Sequence, residues 1–345
     1  MRVDKRWSTR LHARSPAIEH ALSPSRGSSG GDATVLWAIC FFCGENSPPT
    51  FPPPDVEKGH DQISRLITSQ SSSPAHEARL QSRHNLVTNT SGLAPGYLQA
   101  NLLILPSQHA RQFHDLCLRN PVSCPLLGIT SPGDPHTVRP AACIQHPDFD
   151  LRTDFPMYRV YQHGKYLGSR RDLRDVWADD YVGFLIGCSF SFEDALTGAG
   201  LQPRHQKTNT IVAMYRTNIP LLPAGIFTNA TCIVSMRPYR PEDIERVRDV
   251  TRPYLATHGE PVGWGWEAVE RLGIRDVHHP DFGQPQVFEE GEVPVFWACG
   301  VTPQMAVEAA GDKMEGLVFA HEPGHMLVTD WKAGDLEQLG KGSFD

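Results

Sequence analysis

Short apolar runs alternate with helix-like patterns along most of the chain, from His76 to about Leu336. Such an alternation is typical of a fold in which helices pack on sheets, because short apolar runs suit buried strands and longer periodic stretches suit amphipathic helices. The run YLQANLLILP predicts a buried strand that ends at Pro106. Ser107 is then expected to cap a helix that runs to about Leu118. The rhythm predicts an α/β protein.

The same reasoning predicts a hairpin in MYRVYQHGKYLGS that turns at His163 and Gly164. The other expected elements are helices over 173–185 and 192–197, strands over 210–215 and 232–236, a helix from Pro241, a strand in VPVFWACG, a helix opened by Thr302 and Pro303, and strands in LVFAHE and HMLVTDW.

A break in composition separates a head from the body. Residues 44–75 include GENSPPTFPPPD and SQSSSPAHE, in which proline and serine leave little apolar surface to pack. We therefore expect an extension over 1–75, either disordered or used in targeting, a folded domain over 76–336 that is built of two intertwined subdomains, and a tail over 337–345.

The first 31 residues carry six Arg or Lys against two acids, and they are rich in serine. This pattern is typical of a mitochondrial transit peptide, although a disordered extension of a cytoplasmic protein remains the alternative. The apolar run TVLWAICFFC has ten residues, about half of the ~20 that a membrane-spanning helix needs. No membrane partner is expected.

The formal net charge of -7 argues against a nucleic-acid partner, because a phosphate backbone attracts a basic surface. A small molecule is the expected partner, and association with further copies of the chain is left open. Eight cysteines at irregular spacing indicate a reducing compartment rather than a disulfide framework. Cys40 and Cys43 form a lone C-x-x-C that lacks the second pair of a zinc site.

The stretch GCSFSFEDALTGAGLQPRH, residues 187–205, concentrates reactive side chains. Ser191 and Asp194 fit a capping box, and Glu193 would then serve either helix-end electrostatics or catalysis. Arg204 and His205 follow a glycine-bounded helix end, where a loop can direct them into a cleft; a surface pair is the alternative.

Two later segments place cations at predicted strand ends. MYRTN supplies Tyr215, Arg216 and Asn218, and VSMRP supplies Arg237. Because open α/β sheets bind ligands at strand ends, Arg216 and Arg237 are the expected clamps for a substrate carboxylate, with surface salt bridges as the alternative. We expect both arginines to meet His205 in one crevice.

WACGVTPQ predicts the start of a helix, where free backbone N–H groups attract anions. The side chains of Thr302 and Gln304 could add further hydrogen-bond donors to such an anion site. His321 and His325 stand four apart in HEPGHML, but Pro323 breaks the helix that a zinc protease requires. Both are therefore either site or turn histidines, and His258 in THGEP is a similar candidate. No metal site is assigned, and a divalent metal is the only cofactor left open.

Eight blocks resemble, in the same order, those of the hydro-lyase family that includes mitochondrial D-glutamate cyclase. They cover residues 77–331 and read SGLAPGYLQANLLILP, NPVSCPLL, LRTDFPMYRVY, DDYVGFLIGCSFSFEDAL, AMYRTN, VSMRP, GEVPVFWACGVTPQ and HEPGHMLVTD. The resemblance implies a mixed-sheet, three-layer α/β body with a smaller α+β subdomain. It also implies a carbon–oxygen lyase that converts D-glutamate to 5-oxo-D-proline, or catalyses the reverse reaction.

That reaction needs an acid or base, and clamps for the substrate. The residues expected to be catalytic are His205, Glu193, His321 and His325. The residues expected to bind substrate are Arg204, Tyr215, Arg216, Asn218, Arg237, His258, Thr302 and Gln304.

The chain also departs from the family pattern. Gly263 and Trp266 stand where a histidine and an aspartate are expected, Ala213 replaces a proline, and Glu322 replaces a small residue. Tryptophans would suit a bulkier ligand. A hydro-lyase acting on a different carboxylic acid, or a non-catalytic binding protein, are therefore the alternatives.

Overall fold

The computed structural model describes residues 73–336. The expected extension up to residue 72 and the expected tail, with the Cys40 and Cys43 pair, lie outside the described residues. The first helix of the described range begins at Pro74, two residues before the predicted domain start at His76.

Eleven strands and seven α-helices make up the described part of the chain. The strands are β1 (Tyr97–Pro106), β2 (Leu126–Ile129), β3 (Tyr158–Gln162), β4 (Lys165–Arg170), β5 (Tyr181–Gly187), β6 (Ala213–Pro220), β7 (Thr231–Tyr239), β8 (Gly263–Trp264), β9 (Val293–Ala298), β10 (Leu317–His321) and β11 (Leu327–Lys332). The helices are α1 (Pro74–Arg83), α2 (Ser107–Arg119), α3 (Glu193–Gly198), α4 (Arg204–Thr208), α5 (Ile244–Thr251), α6 (Trp266–Arg271) and α7 (Thr302–Ala310).

The strands form two sheets. The larger has seven strands in the order β2-β5-β1-β10-β3-β4, with β11 also paired to β1. The smaller has four in the order β6-β7-β9-β8. Strand β1 pairs with β5 on one side, and on the other with β11 and then β10, which lie one after the other along it. The chain crosses from the larger sheet to the smaller one after β5 and returns after α7.

The predicted α/β class, with two sheets and packed helices, is confirmed. The expected mixed sheet is not, because every strand pairing among residues 73–336 is antiparallel. The rule that ligands bind at the carboxyl ends of strands applies to parallel sheets. It therefore gives no support here to the predicted positions of Arg216 and Arg237.

The helix predicted over 173–185 is wrong, since Tyr181–Gly187 is strand β5. All seven residues of β5 are buried, so no alternation of apolar and polar residues marks it as a strand. The other predicted strands and helices in the described range are confirmed within a few residues, including the hairpin that turns at His163 and Gly164.

Two predicted helix caps are also wrong. Ser107 is the first residue of α2, and Pro106 occupies the N-cap without a side-chain hydrogen bond. Ser191 does not cap α3, because its Oγ accepts a hydrogen bond from the backbone N–H of Gln99 at 2.9 Å. The hydroxyl of Ser191 thus fastens the segment after β5 to strand β1.

One buried apolar cluster mixes side chains from both sheets, with Leu103 and Phe184 from the larger and Tyr215 and Val234 from the smaller. Burial of such side chains contributes about 1.5–3 kcal/mol each, which holds the sheets together. The segment that follows β5 therefore lies where the sheets meet. Within the described range, no helix has both the length and the apolar character needed to cross a membrane.

Candidate functional site

Glu193, the first residue of α3, is fully buried and lies beside Arg237 of β7. The guanidinium of Arg237 donates to Glu193 Oε1 twice, from Nη2 at 2.5 Å and from Nε at 3.1 Å. His205 of α4 places its Nε2 3.0 Å from the same oxygen. Three predicted site residues from three separate segments therefore meet at one carboxylate.

The second oxygen of Glu193 is equally well bound. Ser91 Oγ donates to Oε2 at 2.8 Å, and Gln206 Nε2 donates at 3.0 Å. Ser91 Oγ also lies 3.3 Å from His205 Nε2. The loop before β1 and the helix α4 are thus both bonded to this carboxylate. We call the five residues that meet here the Glu193 cluster: Ser91, Glu193, His205, Gln206 and Arg237.

The charge of Glu193 follows from these contacts. Burial by itself raises the pKa of a carboxyl, but the positive charges of His205 and Arg237 and their hydrogen bonds lower the pKa of Glu193 to about 2. Glu193 is therefore ionised at neutral pH, and both of its carboxylate oxygens accept hydrogen bonds from the protein. These contacts support a role as an anchor rather than as a general base.

His205 is the group in this cluster that can exchange a proton. Its side chain is 1% exposed, and Phe190 stacks on it with ring centroids 5.7 Å apart. Since Nε2 faces the Glu193 carboxylate, that nitrogen carries the proton in the neutral tautomer, and Nδ1 keeps a lone pair. Nδ1 is buried and has no hydrogen-bond partner. A histidine held by a carboxylate with its other nitrogen free is the arrangement of a general base.

The contacts of Arg237 do not support the substrate-binding role predicted for it. Besides Glu193, its guanidinium donates to Ser235 Oγ at 3.1 Å and Ser189 Oγ at 3.0 Å, and it lies over the rings of Phe192 and Trp297. Its side chain is fully buried. The guanidinium therefore grips the protein's own carboxylate, and the geometry does not support a clamp on a substrate.

A cavity of about 190 Å³ adjoins the Glu193 cluster. Gln206 belongs to both, and the cavity otherwise lies between the loop before β1 and the start of α3. Its lining consists of Gly92, Leu93, Ala94, Pro95, Gly96, Tyr97, Gln99, Phe190, Ser191, Asp194, Thr197 and Gln206. Gln99 Oε1 has no hydrogen-bond partner although it is buried. The cavity thus presents acceptors, from Gln99 and Asp194, to whatever it binds.

A second cluster of motif residues surrounds Phe282. Arg159 of β3 donates from Nε to Glu322 Oε1 at 3.0 Å, and its guanidinium lies 5.5 Å from the Phe282 ring centroid. Arg216 lies at the same distance from that ring and pairs with Glu308 at 3.0 Å. Arg216 is half-exposed and is not among the residues that bind Glu193, so the predicted meeting of Arg216 with Arg237 and His205 is not supported.

Sequence reasoning missed Arg159, although it lies in one of the matched blocks. The available signal was an arginine between apolar neighbours in FPMYRVY. Its partner Tyr161 donates to Gln304 Oε1 at 2.8 Å, and Gln304 Nε2 donates to the backbone carbonyl of His321 at 2.9 Å. Gln304 therefore joins β3, α7 and β10, and its polar atoms are satisfied within the protein.

Five more predicted site residues bond to groups outside the Glu193 cluster. Arg204 pairs with Glu289 and Glu292, Tyr215 Oη donates to Val277 O, Asn218 Nδ2 donates to Arg271 O, Thr302 Oγ1 accepts from Ile233 N, and His325 Nδ1 bonds Pro323 O. These contacts support structural roles for the five.

Two further histidines are buried and neutral. Burial lowers the pKa of His321 to about 3, and its Nδ1 accepts a hydrogen bond from the backbone N–H of Leu102 at 3.2 Å. Burial lowers the pKa of His258 to about 4, and its Nδ1 bonds Val122 O at 2.8 Å while Nε2 has no partner. The His321 ring accepts a backbone hydrogen bond within the larger sheet. His258 has one ring nitrogen without a partner and is still a candidate site residue.

Of the residues that depart from the family pattern, Gly263 lies on β8, the edge strand of the smaller sheet, Trp266 begins α6, Ala213 begins β6, and Glu322 follows β10. Trp264 of β8 lies over the Arg248 guanidinium, and Trp266 packs against Phe288. Both tryptophans are partly exposed. Neither lines the cavity beside the Glu193 cluster, so the structure does not support a bulkier ligand on their account.

Comparison with known proteins points to one family. A family model described as D-glutamate cyclase matches residues 182–330. A protein of Schizosaccharomyces pombe is 48% identical over 74% of this chain and 83% of its own length. Relatives from Rubrobacter xylanophilus and Bordetella petrii are 49% and 47% identical over 72% and 75% of this chain and over 92% and 94% of their own. Each of the three bears the name "Putative hydro-lyase".

Proposed function

The chain belongs to the hydro-lyase family that contains D-glutamate cyclase, and from this membership we propose that it dehydrates a small amino acid, D-glutamate, to its lactam. Hydro-lyase membership follows from the relatives, and the substrate is the step that we add. The observation that carries it is the buried His205, held by Glu193 and free at Nδ1, whose neighbours Gln206 and Phe190 line a cavity that offers acceptors.

Lactam formation requires a neutral amine, because an ammonium has no lone pair with which to attack. The ammonium of glutamate carries positive charge and three N–H donors, and Gln99 Oε1 and the Asp194 carboxylate are acceptors that such a group can use. Asp194 is exposed and lines the cavity. The cavity is thus suited to the amino end of the substrate.

His205 would then take a proton from the amine through Nδ1. The amine nitrogen attacks the side-chain carboxyl carbon, an N–C bond forms, and a C–O bond of that carboxyl breaks. The ammonium loses two protons in becoming the lactam N–H, and these leave with the departing oxygen as water. Glu193 stabilises the imidazolium that forms during the transfer, since its carboxylate lies 3.0 Å from Nε2.

The test is product formation by the full chain. We expect D-glutamate to be converted to 5-oxo-D-proline, measured by chiral chromatography, with L-glutamate as the comparison. His205→Gln should lower kcat by roughly 10²-fold or more, which is the size of a general-base contribution. His279→Gln is the matched control, because His279 is an exposed histidine paired with Asp276 away from the cavity.

The proposal is overturned if neither enantiomer yields product, or if His205→Gln turns over as fast as the parent chain. The alternatives predict different results. A hydro-lyase for another acid, or a binding protein, would show its ligand as a rise in melting temperature in a panel of amino and hydroxy acids, since a ligand that binds the native state stabilises it.

A further inference from the structure

We propose that His76, His146 and Asp148 form a binding site for one divalent transition-metal ion of the zinc class. His76 Nε2 lies 3.1 Å from Asp148 Oδ2, and His146 Nδ1 lies 2.5 Å from Asp148 Oδ1. One ligand atom from each residue lies within 4.8 Å of the other two. The site is separate from the Glu193 cluster and does not depend on the proposed function.

The donor set fits such an ion. Zinc binds imidazole nitrogen at about 2.0–2.1 Å and carboxylate oxygen at about 2.0–2.2 Å, so two ligand atoms on one ion lie roughly 3 Å apart. The two N···O distances, 3.1 and 2.5 Å, are close to this separation. Both nitrogens already face oxygens of Asp148, so an ion bound there would take the place of the protons between them.

The proposed site is buried on the side of His76 and open to solvent on the side of His146, which also suits a metal ion. His76 is 5% exposed; its Nε2 faces Asp148 at 3.1 Å, and its buried Nδ1 has no hydrogen-bond partner. His146 is partly exposed and lines an open hollow of about 510 Å³ with Gln145 and Asp330. Water can complete the coordination from that hollow.

The two imidazoles lie side by side at the carboxylate. The centroids of His76 and His146 are 3.5 Å apart and the rings are nearly parallel. Both rings therefore approach Asp148 from neighbouring positions. Arg83 competes for the carboxylate, since its Nη1 lies 3.0 Å from Asp148 Oδ2, but Arg83 is also held by Asp154 at 2.8 Å.

The ion would join two separate parts of the chain. His76 is in the first turn of α1, which packs on β11, while His146 and Asp148 lie in the segment between β2 and β3. A bound ion would therefore fasten α1 to the body, and its effect should be on stability rather than on turnover.

Metal binding by the untagged full chain tests the site. The protein is stripped with EDTA, dialysed, and titrated calorimetrically with Zn²⁺, and separately with Co²⁺ while the visible absorption of the ion is recorded. We expect one ion per chain, a Co²⁺ spectrum altered by nitrogen ligands, and a melting temperature that rises with Zn²⁺ concentration. His146→Ala and Asp148→Asn should each weaken Zn²⁺ binding at least tenfold.

His279→Ala is the matched control, because His279 also pairs with an aspartate, Asp276 at 2.7 Å, but does not belong to a group of three metal-binding side chains whose ligand atoms lie within 4.8 Å of one another. It should bind Zn²⁺ as the parent chain does. The two site variants change exposed or half-exposed side chains, so both are expected to fold; their urea midpoints without metal establish this. Absence of stoichiometric binding by the parent chain, or equal binding by parent, His146→Ala and Asp148→Asn, overturns the proposal.

Discussion

At the residue scale, the fold depends on one ion pair that has no access to water. Glu193→Gln leaves the Arg237 guanidinium buried without its counter-charge, and breaking a buried pair in this way typically costs about 3–5 kcal/mol. We expect this loss in the free energy of unfolding, measured by urea denaturation. Glu289→Gln removes an exposed partner of Arg204, and should cost far less because solvent screens that pair. Equal losses of unfolding free energy in the two variants would contradict the expected importance of the buried pair between Glu193 and Arg237.

The same carboxylate should govern stability in acid. The pKa of Glu193 is about 2 in the folded chain against an ordinary value of 4.5. A carboxyl whose pKa is lowered by folding stabilises the native state above its unfolded pKa, and the stabilisation is lost as pH falls toward the folded pKa. We expect the free energy of unfolding to drop by roughly 3 kcal/mol between pH 4.5 and 2 on account of this group. Urea midpoints across this range should fall less steeply in Glu193→Gln.

Sequence reasoning singled out three members of the cluster, and for one of them, Arg237, the contacts support a different role from the predicted one. Glu193 and His205 were predicted because they lie in one dense stretch, and a loop or short helix can bring residues twelve apart together. Arg237 was predicted to bind a substrate because the sequence shows an arginine at a strand end. The sequence does not show that the Glu193 carboxylate would bind its guanidinium. Ser91 carries no local signal, because its role comes from a contact across 102 positions.

At the element scale, a close approach of backbone fixes the end of β5. A Cβ added to Gly187 would lie 1.9 Å from the carbonyl oxygen of Ala256, so the segment that carries His258 could not stay in place. Gly187→Ala should therefore destabilise the fold by about 1–3 kcal/mol, as overpacking commonly does. Gly198, at the end of α3, has no atom within 4 Å of such a Cβ.

Gly198→Ala is accordingly the control, and should be neutral or stabilise by up to about 1 kcal/mol through the unfolded state. Thermal melts of the two variants give the comparison. A tolerated Gly187→Ala would mean that the segment 255–258 can move away without cost.

Elements were predictable where a local pattern decides them. Strand β1 ends in a proline, the hairpin has its glycine turn, and α7 begins with a proline in its first turn, so sequence alone located all three. Strand β5 was not, because a strand covered on both faces loses its alternation. The prediction that Ser191 caps a helix was wrong for a related reason. Its spacing suits a cap, but its hydroxyl instead accepts a hydrogen bond from the backbone N–H of Gln99 on β1.

At the scale of the whole molecule, sequence reasoning predicted the class and could not predict the sheet arrangement. Antiparallel pairing of β1 with β10 joins positions more than 200 apart, as Leu103 with Ala320 shows. No local preference encodes such a pairing; it follows from how the two sheets share a core.

The boundary of the folded domain remains a prediction that proteolysis can test. Proline- and serine-rich linkers are cut first, so brief digestion of the full chain should leave a stable fragment that begins close to Ser73 and retains residues up to about 336. Mass spectrometry of the fragment identifies its ends. Protection of residues 1–70 against the protease would contradict the division.

Strand β1 pairs with β11 along its first part and with β10 along its last part. The short gap between these two pairings offers a spectroscopic probe. At Leu102 the sheet has no strand carbonyl to accept the backbone N–H, and the ring nitrogen of His321 accepts it instead at 3.2 Å. In nuclear magnetic resonance, the amide nitrogen of Leu102 and the imidazole nitrogen should therefore share a scalar coupling across the hydrogen bond. One peptide amide in the centre of the sheet would then report the tautomer of a histidine directly.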